Sequence, residues 1–479
     1  MAELADGLHV IVKRDCPTCR LIEPVLAAIA AQDVVLTIYC QDDPEFPSGF
    51  EGVVDDRGLS HSYGLEIEIV PTVIRVVDGT ETARAYGWHQ GDWRQIAGIA
   101  DLGGDLPESR PGCGSLSIEP GTAEALAAQF GDAGLKSRRV VLAPAEDEIE
   151  ACFDRGWSDG LPLVPPTEER VLRMLRGTAR AADDVIGIVP PDMAPCTIEK
   201  VAVNAVMAGC RPDYLPVVIA AVEAALINEF CMHGLLCTTM FSGPMVIVNG
   251  PVTKSIGMNS GMNVLGQGNR ANATIGRALQ LIIRNVGGGR PGEIDRSAFG
   301  NPGKYTFCFA EDESEPNWPS LAEDRGYDRG VSTVSLFAAD GMQGVVDQKS
   351  RDPESLARSF AASLRAVDHP KLAMAGDAFL LIGPEHRRVI RNGGWSKAQF
   401  HDRLEVLLQL PGAEMVAGAG GIAEGLPEKF KDKTIPKFRP GGLNIAAAGG
   451  AAGMFSAIIA GWAASGETGS ISVTKEIAS

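Results

Sequence analysis

No run of apolar residues in this 479-residue chain reaches the length of a helical membrane span. Positive charge is also short: 43 Lys and Arg stand against 61 Asp and Glu, a formal net charge of −18. The first shortage gives no expectation of a helical membrane span, and the second argues against nucleic acid or anionic membrane surfaces as partners. The opening Met1-Ala2-Glu3-Leu4-Ala5-Asp6 lacks the basic-then-apolar order of a secretory signal. Ten cysteines over so long a chain do not make the dense framework of a small secreted domain. A reducing cytoplasm is therefore the expected location. What remains, 45% hydrophobic and 22% charged, is the composition of an ordinary globular protein, with length for two or three domains.

The most informative stretch is Cys16-Pro17-Thr18-Cys19. It follows the apolar residues 9–12 and precedes a segment, 21–31, of helix formers with an apolar face. The two sulfurs thus sit where a strand hands over to a helix. The positive end of a helix favours a thiolate on Cys16, and two intervening residues let Cys19 close a disulfide. Asp15, beside Cys16, is expected to oppose the thiolate. A C-x-x-C pair alone is either a redox pair or half a zinc site. No second C-x-x-C and no H-x-x-x-H follows, so a zinc site would lack ligands.

Together with Val70-Pro71-Thr72, this motif makes residues 7–102 resemble the thioredoxin superfamily. The resemblance implies a cis Val70–Pro71 bond facing Cys16, with Pro71 leaving a backbone edge free for a partner's sulfur. The expected order of elements agrees. It runs strand 8–13, helix 19–31, strand 34–40, a short helix near 58–65, hairpin strands 72–77 and 81–87, and a closing helix near 91–101. The expected fold class is α/β: a thioredoxin-like domain over 1–102, then a large layered α/β domain.

Residues 103–182 read as linker and strap. Gly, Pro and Ser dominate 103–120. Cys113 lies there between two glycines and near Arg110, where an exposed, mobile thiol suits a shuttle; an incidental linker cysteine is the alternative. A helix at 122–129, a strand at 138–142 and an acidic helix at 145–155 are expected next. The prolines of 156–167 exclude regular structure and suggest an extended strap, with Trp157 and Asp159 as site candidates and Thr167 capping the following helix.

The domain 183–479 alternates helices (197–209, 213–227, 269–286, 353–366, 384–392, 396–409, 453–461) with strands (245–248, 304–310, 332–338, 378–382, 443–447), the pattern of a layered α/β domain. Val246 to Pro251 with Lys254, Ile256 and Asn259-Ser260-Gly261 parallels Leu380 to Pro384 with Arg387, Val389 and Asn392-Gly393-Gly394. A duplication would give half-lobes 183–300 and 330–460 with a ligand between them; convergent strand-turn-helix units are the alternative. Residues 156–167, 199–210 and 268–272 look like bacterial proteins of unassigned function. The pieces 383–386, 394–397 and 449–453 are similar to UGSC-type (seleno)proteins. Their Cys-Gly-Ser-Cys motif survives here only as Cys113-Gly114-Ser115-Leu116. That resemblance implies thiol or selenol chemistry and names no substrate.

Within the large domain Cys196 is the first candidate nucleophile, because a helix start and Lys200 one turn on both lower a thiol pKa. A small packed core residue is the alternative. Cys231, His233 and Cys237 lack further metal ligands in sequence, so no metal is expected. Glu385-His386 opens a helix after a buried strand, where open α/β sheets gather ligands, making His386 a candidate acid or base with Glu385 as its partner. A surface histidine is the blander reading. Asn269 and Arg270, among the glycines and amides of 266–272, could hold a carboxylate or phosphate. That segment is neither a Walker A motif nor G-x-G-x-x-G. Arg270, Arg277 and Arg284 fall seven apart on one helix face.

The expected function is a thiol-dependent oxidoreductase. Cys16 and Cys19 would supply electrons, through Cys196 or Cys113, to reduction or reductive cleavage of a small molecule in the large domain. One alternative is a lyase or hydrolase resting on Glu385, His386 and Asp159; another is a thiol-regulated scaffold. A homo-oligomer is expected, with no cofactor beyond the sulfur pair, and an external dithiol or disulfide reductase is a candidate partner.

Overall fold

The computed structural model describes residues 4–131, 134–462 and 469–478. The chain divides into two compact units, one of Met1–Gly134 with Thr167–Arg173 and one of Leu135–Pro166 with Met174–Ser479. Both mix helices and strands.

The first unit is built on the apolar strand β1 (Gly7–Val12), buried along almost its whole length. It pairs in parallel with β2 (Leu36–Cys40), which pairs in parallel with β3 (Val54–Asp55). The two-residue strand β4 (Ile69–Val70) leads through a cis Val70–Pro71 bond into β5 (Thr72–Val77). β5 runs antiparallel to β1 and forms a hairpin with β6 (Thr80–Tyr86), giving the order β3-β2-β1-β5-β6. β7 (Trp88–His89) and the helix Gln90–Ala97 follow, with Trp88 and Trp93 packed ring to ring in the core.

Two expectations change here. The helix expected over 19–31 is broken at Ile22 into Pro17–Leu21 and Glu23–Ala30. Pro24 has no N–H to continue the ladder and its ring crowds the preceding turn. Residues 103–118 are not a free linker. They carry β8 (Ser109–Arg110), antiparallel to β7, and β9 (Cys113–Gly114), antiparallel to β4.

The second unit begins with a helix at Glu148–Asp154; no strand forms at 138–142. Its small hairpin is β10 (Val185–Val189) with β11 (Ala194–Thr197). Its main sheet contains β12 (Gly243–Asn249), β13 (Cys308–Ala310), β14 (Thr333–Val346) and β15 (Ala378–Ile382). A side hairpin, β16 (Gln409–Pro411) with β17 (Thr434–Pro436), precedes β18 (Leu443–Ala447), β19 (Phe455–Gly461) and β20 (Val473–Glu476). The order is β13-β12-β14-β19-β15-β18, with β20 on β14. β19 replaces the helix expected over 453–461: lying between β14 and β15, its Ile458 and Ile459 face opposite sides, each against buried apolar residues.

Strands of both expected half-lobes therefore belong to one sheet. Alternate residues (Met245, Ile247, Phe309, Phe337, Phe379, Leu381, Ile459) fill one core on its inner side. On the other side the helices Pro353–Arg365, Pro384–Asn392 and Lys397–Leu407 cover β15, β18 and β19. The rim strands β13 and β18 come together just past their carboxyl ends. The Asp312 amide donates to the Ala447 carbonyl at 2.7 Å, and the Ala447 amide donates to the buried Glu311 carboxylate at 3.2 Å. The sheet thus curls until its rims touch. Among the described residues no single helix is long and apolar enough to cross a membrane.

Candidate active site

Cys16 closes the turn that follows β1. The backbone amides of Arg14 and Asp15 donate to Asp42 at 2.7 and 2.9 Å, pinning the turn so that Cys16 becomes the N-cap of the helix Pro17–Leu21. Its sulfur accepts from the Cys19 amide at 3.4 Å and lies 3.5 Å from the Val70 carbonyl, beside cis Pro71. The ten cysteines are all unbridged.

The two sulfurs ionise in opposite senses. The hydrogen bond from the Cys19 thiol is the largest influence on Cys16. Burial opposes it, while the Cys113 thiol and the amides of Cys19 and Thr18 reinforce it, and the balance brings Cys16 down to about 5. Burial, and the bond to Cys16, push Cys19 well above the usual thiol range. A helix of only five residues adds little dipole, so the hydrogen bonds named here replace the long helix expected from sequence. The Asp15 carboxylate, expected to oppose the thiolate, is exposed.

Residues 109–117 are laced across this site. Arg110 pairs with Trp88, and the Thr18 hydroxyl donates to the Pro111 carbonyl at 2.7 Å. Cys113 pairs with Val70, and Lys13 Nζ donates to the Gly114 carbonyl at 2.8 Å. The Ser115 amide donates to the Glu68 carbonyl, and the buried Gln41 amide nitrogen donates to the Ser115 hydroxyl at 2.6 Å. Gly112 permits the approach: a Cβ there would lie 2.4 Å from Ile69 Cγ2 and 2.6 Å from the Val70 carbonyl oxygen. Cys16 and Cys19 are both 0% exposed, whereas Cys113 keeps part of its surface open. Burial and the neighbouring Cys16 raise the Cys113 thiol. Sequence reading missed Lys13, Thr18, Gln41 and Gly112. The signal in the sequence is Gly112-Cys113-Gly114, since glycines allow a close crossing as well as a loose linker.

The remaining candidates lie in the second unit. Cys196 lies in β11 one residue before the helix cap Thr197, fully buried, and burial outweighs Lys200 to push it up to about 12; it is not the activated thiol expected. Lys200 Nζ instead donates to the Pro195 carbonyl at 2.6 Å. His386 is buried against Phe360, engaged by the Ser456 hydroxyl at 2.8 Å and the Asp347 carbonyl at 3.1 Å, and burial lowers its pKa. Glu385 accepts from the Met454 amide at 2.6 Å rather than partnering His386. Asp159 forms a two-point ion pair with Arg277 at 2.8 Å, and Arg277 also donates to the Leu161 and Pro162 carbonyls. Arg284 reaches the Gly156 carbonyl at 3.4 Å, so two of the three spaced arginines hold the 156–166 strap. The third, Arg270, donates to the Gly209 carbonyl, and Asn269 caps its own helix. Cys210 and Cys308 are buried and pushed up, Cys210 to about 12. Among the described residues no group of three or more His, Cys, Asp or Glu is arranged to hold a metal ion.

What these positions bring together is three sulfurs in the first unit, one of them with its pKa drawn down and covered by a strap that carries another. No family model, no curated protein and no solved structure matches the chain.

Proposed function

We propose that the protein is a thiol–disulfide oxidoreductase working through Cys16 and Cys19 on a thioredoxin-like N-terminal unit. The observation that carries this reading is the Cys16 sulfur held by the Cys19 amide at 3.4 Å and set beside the cis Val70–Pro71 bond, a placement that brings Cys16 down to about 5 while its neighbour is pushed up. Exchange needs that asymmetry. The Cys16 thiolate attacks one sulfur of a disulfide, the other sulfur leaves as a thiolate, and a mixed disulfide forms. Cys19 then gives up its proton and attacks the Cys16 sulfur, releasing the second thiol and leaving Cys16–Cys19 oxidised. An external dithiol restores the pair. The strand order β3-β2-β1-β5-β6 and the Val70–Pro71 bond beside Cys16 support the thioredoxin-like assignment.

In the wider reading these electrons reduce or reductively cleave a small molecule bound by the second unit. If a thiol there takes part, Cys231 and Cys237 are the accessible ones, since Cys196, Cys210 and Cys308 are buried and pushed up. We read the second unit's sheet as a duplication. β12 pairs in parallel with β13 and antiparallel with β14, as β15 does with β18 and β19, and β14 meets β19 at the centre. No observation favours acid–base chemistry at Glu385 and His386.

The test is reduction of a disulfide substrate by the full chain with dithiothreitol as donor. Wild type is expected to turn over, Cys16→Ser to lose all catalysed rate, and Cys19→Ser to accumulate a disulfide at Cys16 visible by mass spectrometry. Full activity in Cys16→Ser would overturn the proposal.

A further inference from the structure

We propose that Cys113 is a third redox sulfur of this unit: an incoming small disulfide meets Cys113 first, and Cys113 passes it to Cys16 within the same chain. This rests on the dithiol reading above. Three observations carry it. Cys16 and Cys19 are both 0% exposed, so neither can be reached from solvent while the strap is seated, and Cys113 is the member of the trio with open surface. β9 places Cys113 opposite Val70, whose carbonyl touches the Cys16 sulfur, so that the chain's own strand fills the backbone edge where an outside strand would otherwise pair. The strap is held on both sides of Cys113, by Thr18 on Pro111 and by Lys13 on Gly114. Cys113 and Cys16 lie within hydrogen-bonding reach of each other, and a thiol fixed beside a thiolate exchanges with it as an intramolecular partner.

The steps balance. Cys113, as thiolate, attacks a disulfide R–S–S–R, forming Cys113–S–S–R and releasing one RS⁻. The Cys16 thiolate attacks the Cys113 sulfur and expels the second RS⁻, leaving Cys16–S–S–Cys113. Cys19 loses its proton, attacks the Cys16 sulfur and frees Cys113 as a thiolate. Two electrons pass from the Cys16–Cys19 pair to the disulfide. The charged and titratable groups acting on Cys113 are Cys16, Lys13 and Arg110, and its raised pKa makes the first attack the slow one. Turnover should therefore climb with pH through neutrality, whereas direct attack by Cys16 would level off above about pH 5.

The experiment treats full-length Cys19→Ser with oxidised glutathione and maps disulfides by mass spectrometry. A Cys16–Cys113 bridge is expected; glutathione on Cys16 with Cys113 left as a free thiol would overturn the relay. In a chain with Cys19 intact, Cys113→Ser should slow oxidation by glutathione disulfide by about tenfold or more. An unchanged or faster rate would mean that the strap is only a cover, and would overturn it too. If wild type forms Cys16–Cys19 in either of those failures, the dithiol reading stands alone; if wild type never forms that bridge, both fall.

Discussion

At Cys16 the balance of hydrogen bonding against burial can be measured directly. The far-ultraviolet thiolate absorbance of the reduced protein should titrate with a midpoint near pH 5. The thiolate is the form the site favours, so it persists above that pH and is lost as pH falls through it. Cys19→Ala, which removes the strongest contributor, should move the midpoint furthest towards the ordinary thiol value of about 8.5, and Cys113→Ala should move it less. A wild-type midpoint already near the ordinary value would remove the nucleophile. The pair itself was legible in the sequence, because an apolar strand, two spaced cysteines and a helix former follow one another along the chain. Burial was not legible. His386 and Cys196 sit in local contexts that suggest reactivity. The partners of His386 lie 39 and 70 residues away, and Cys196 is fully buried although it stands at a helix start.

The strap and the curled sheet show the same limit one scale up. Gly112-Cys113-Gly114 reads locally as a loose connection, yet its backbone forms a strand because Ile69–Val70 offers an open edge, and glycine alone lets the two chains approach. Gly112→Ala should lift this crossing, and alkylation with a bulky maleimide should then reach Cys16, which is closed in wild type. An unlabelled Cys16 in that variant would show that the strap is not what covers it. In the second unit most helices and strands fell where periodicity put them. β19 did not, since a short apolar run with two isoleucines suits a buried strand as well as a helix. Phe309→Ala should empty part of the inner core and cost about 3–5 kcal/mol in chemical denaturation. Glu311→Gln should cost about 1–3 kcal/mol. Glu311 accepts from Asn249, the Leu321 amide and the Ala447 amide, and a carboxamide must turn a donor towards one of them.

For the molecule as a whole, the two units have separate cores: the cluster around Leu26 and Trp93 shares no residue with those around Phe309 or Phe360. Calorimetry of the reduced protein should resolve two transitions. Leu26→Ala should lower one of them by about 2–5 kcal/mol while leaving the other within about 0.5 kcal/mol. A single transition displaced as a block would show the cores to be energetically one. The meeting of β13 and β18 at Glu311 and Ala447 has a wider consequence. A sheet whose borders are sewn to each other there shows fewer idle amides for a stray strand to copy. Crowding the protein should then be slow to seed fibres from this sheet, with Glu311 as the knot in the seam.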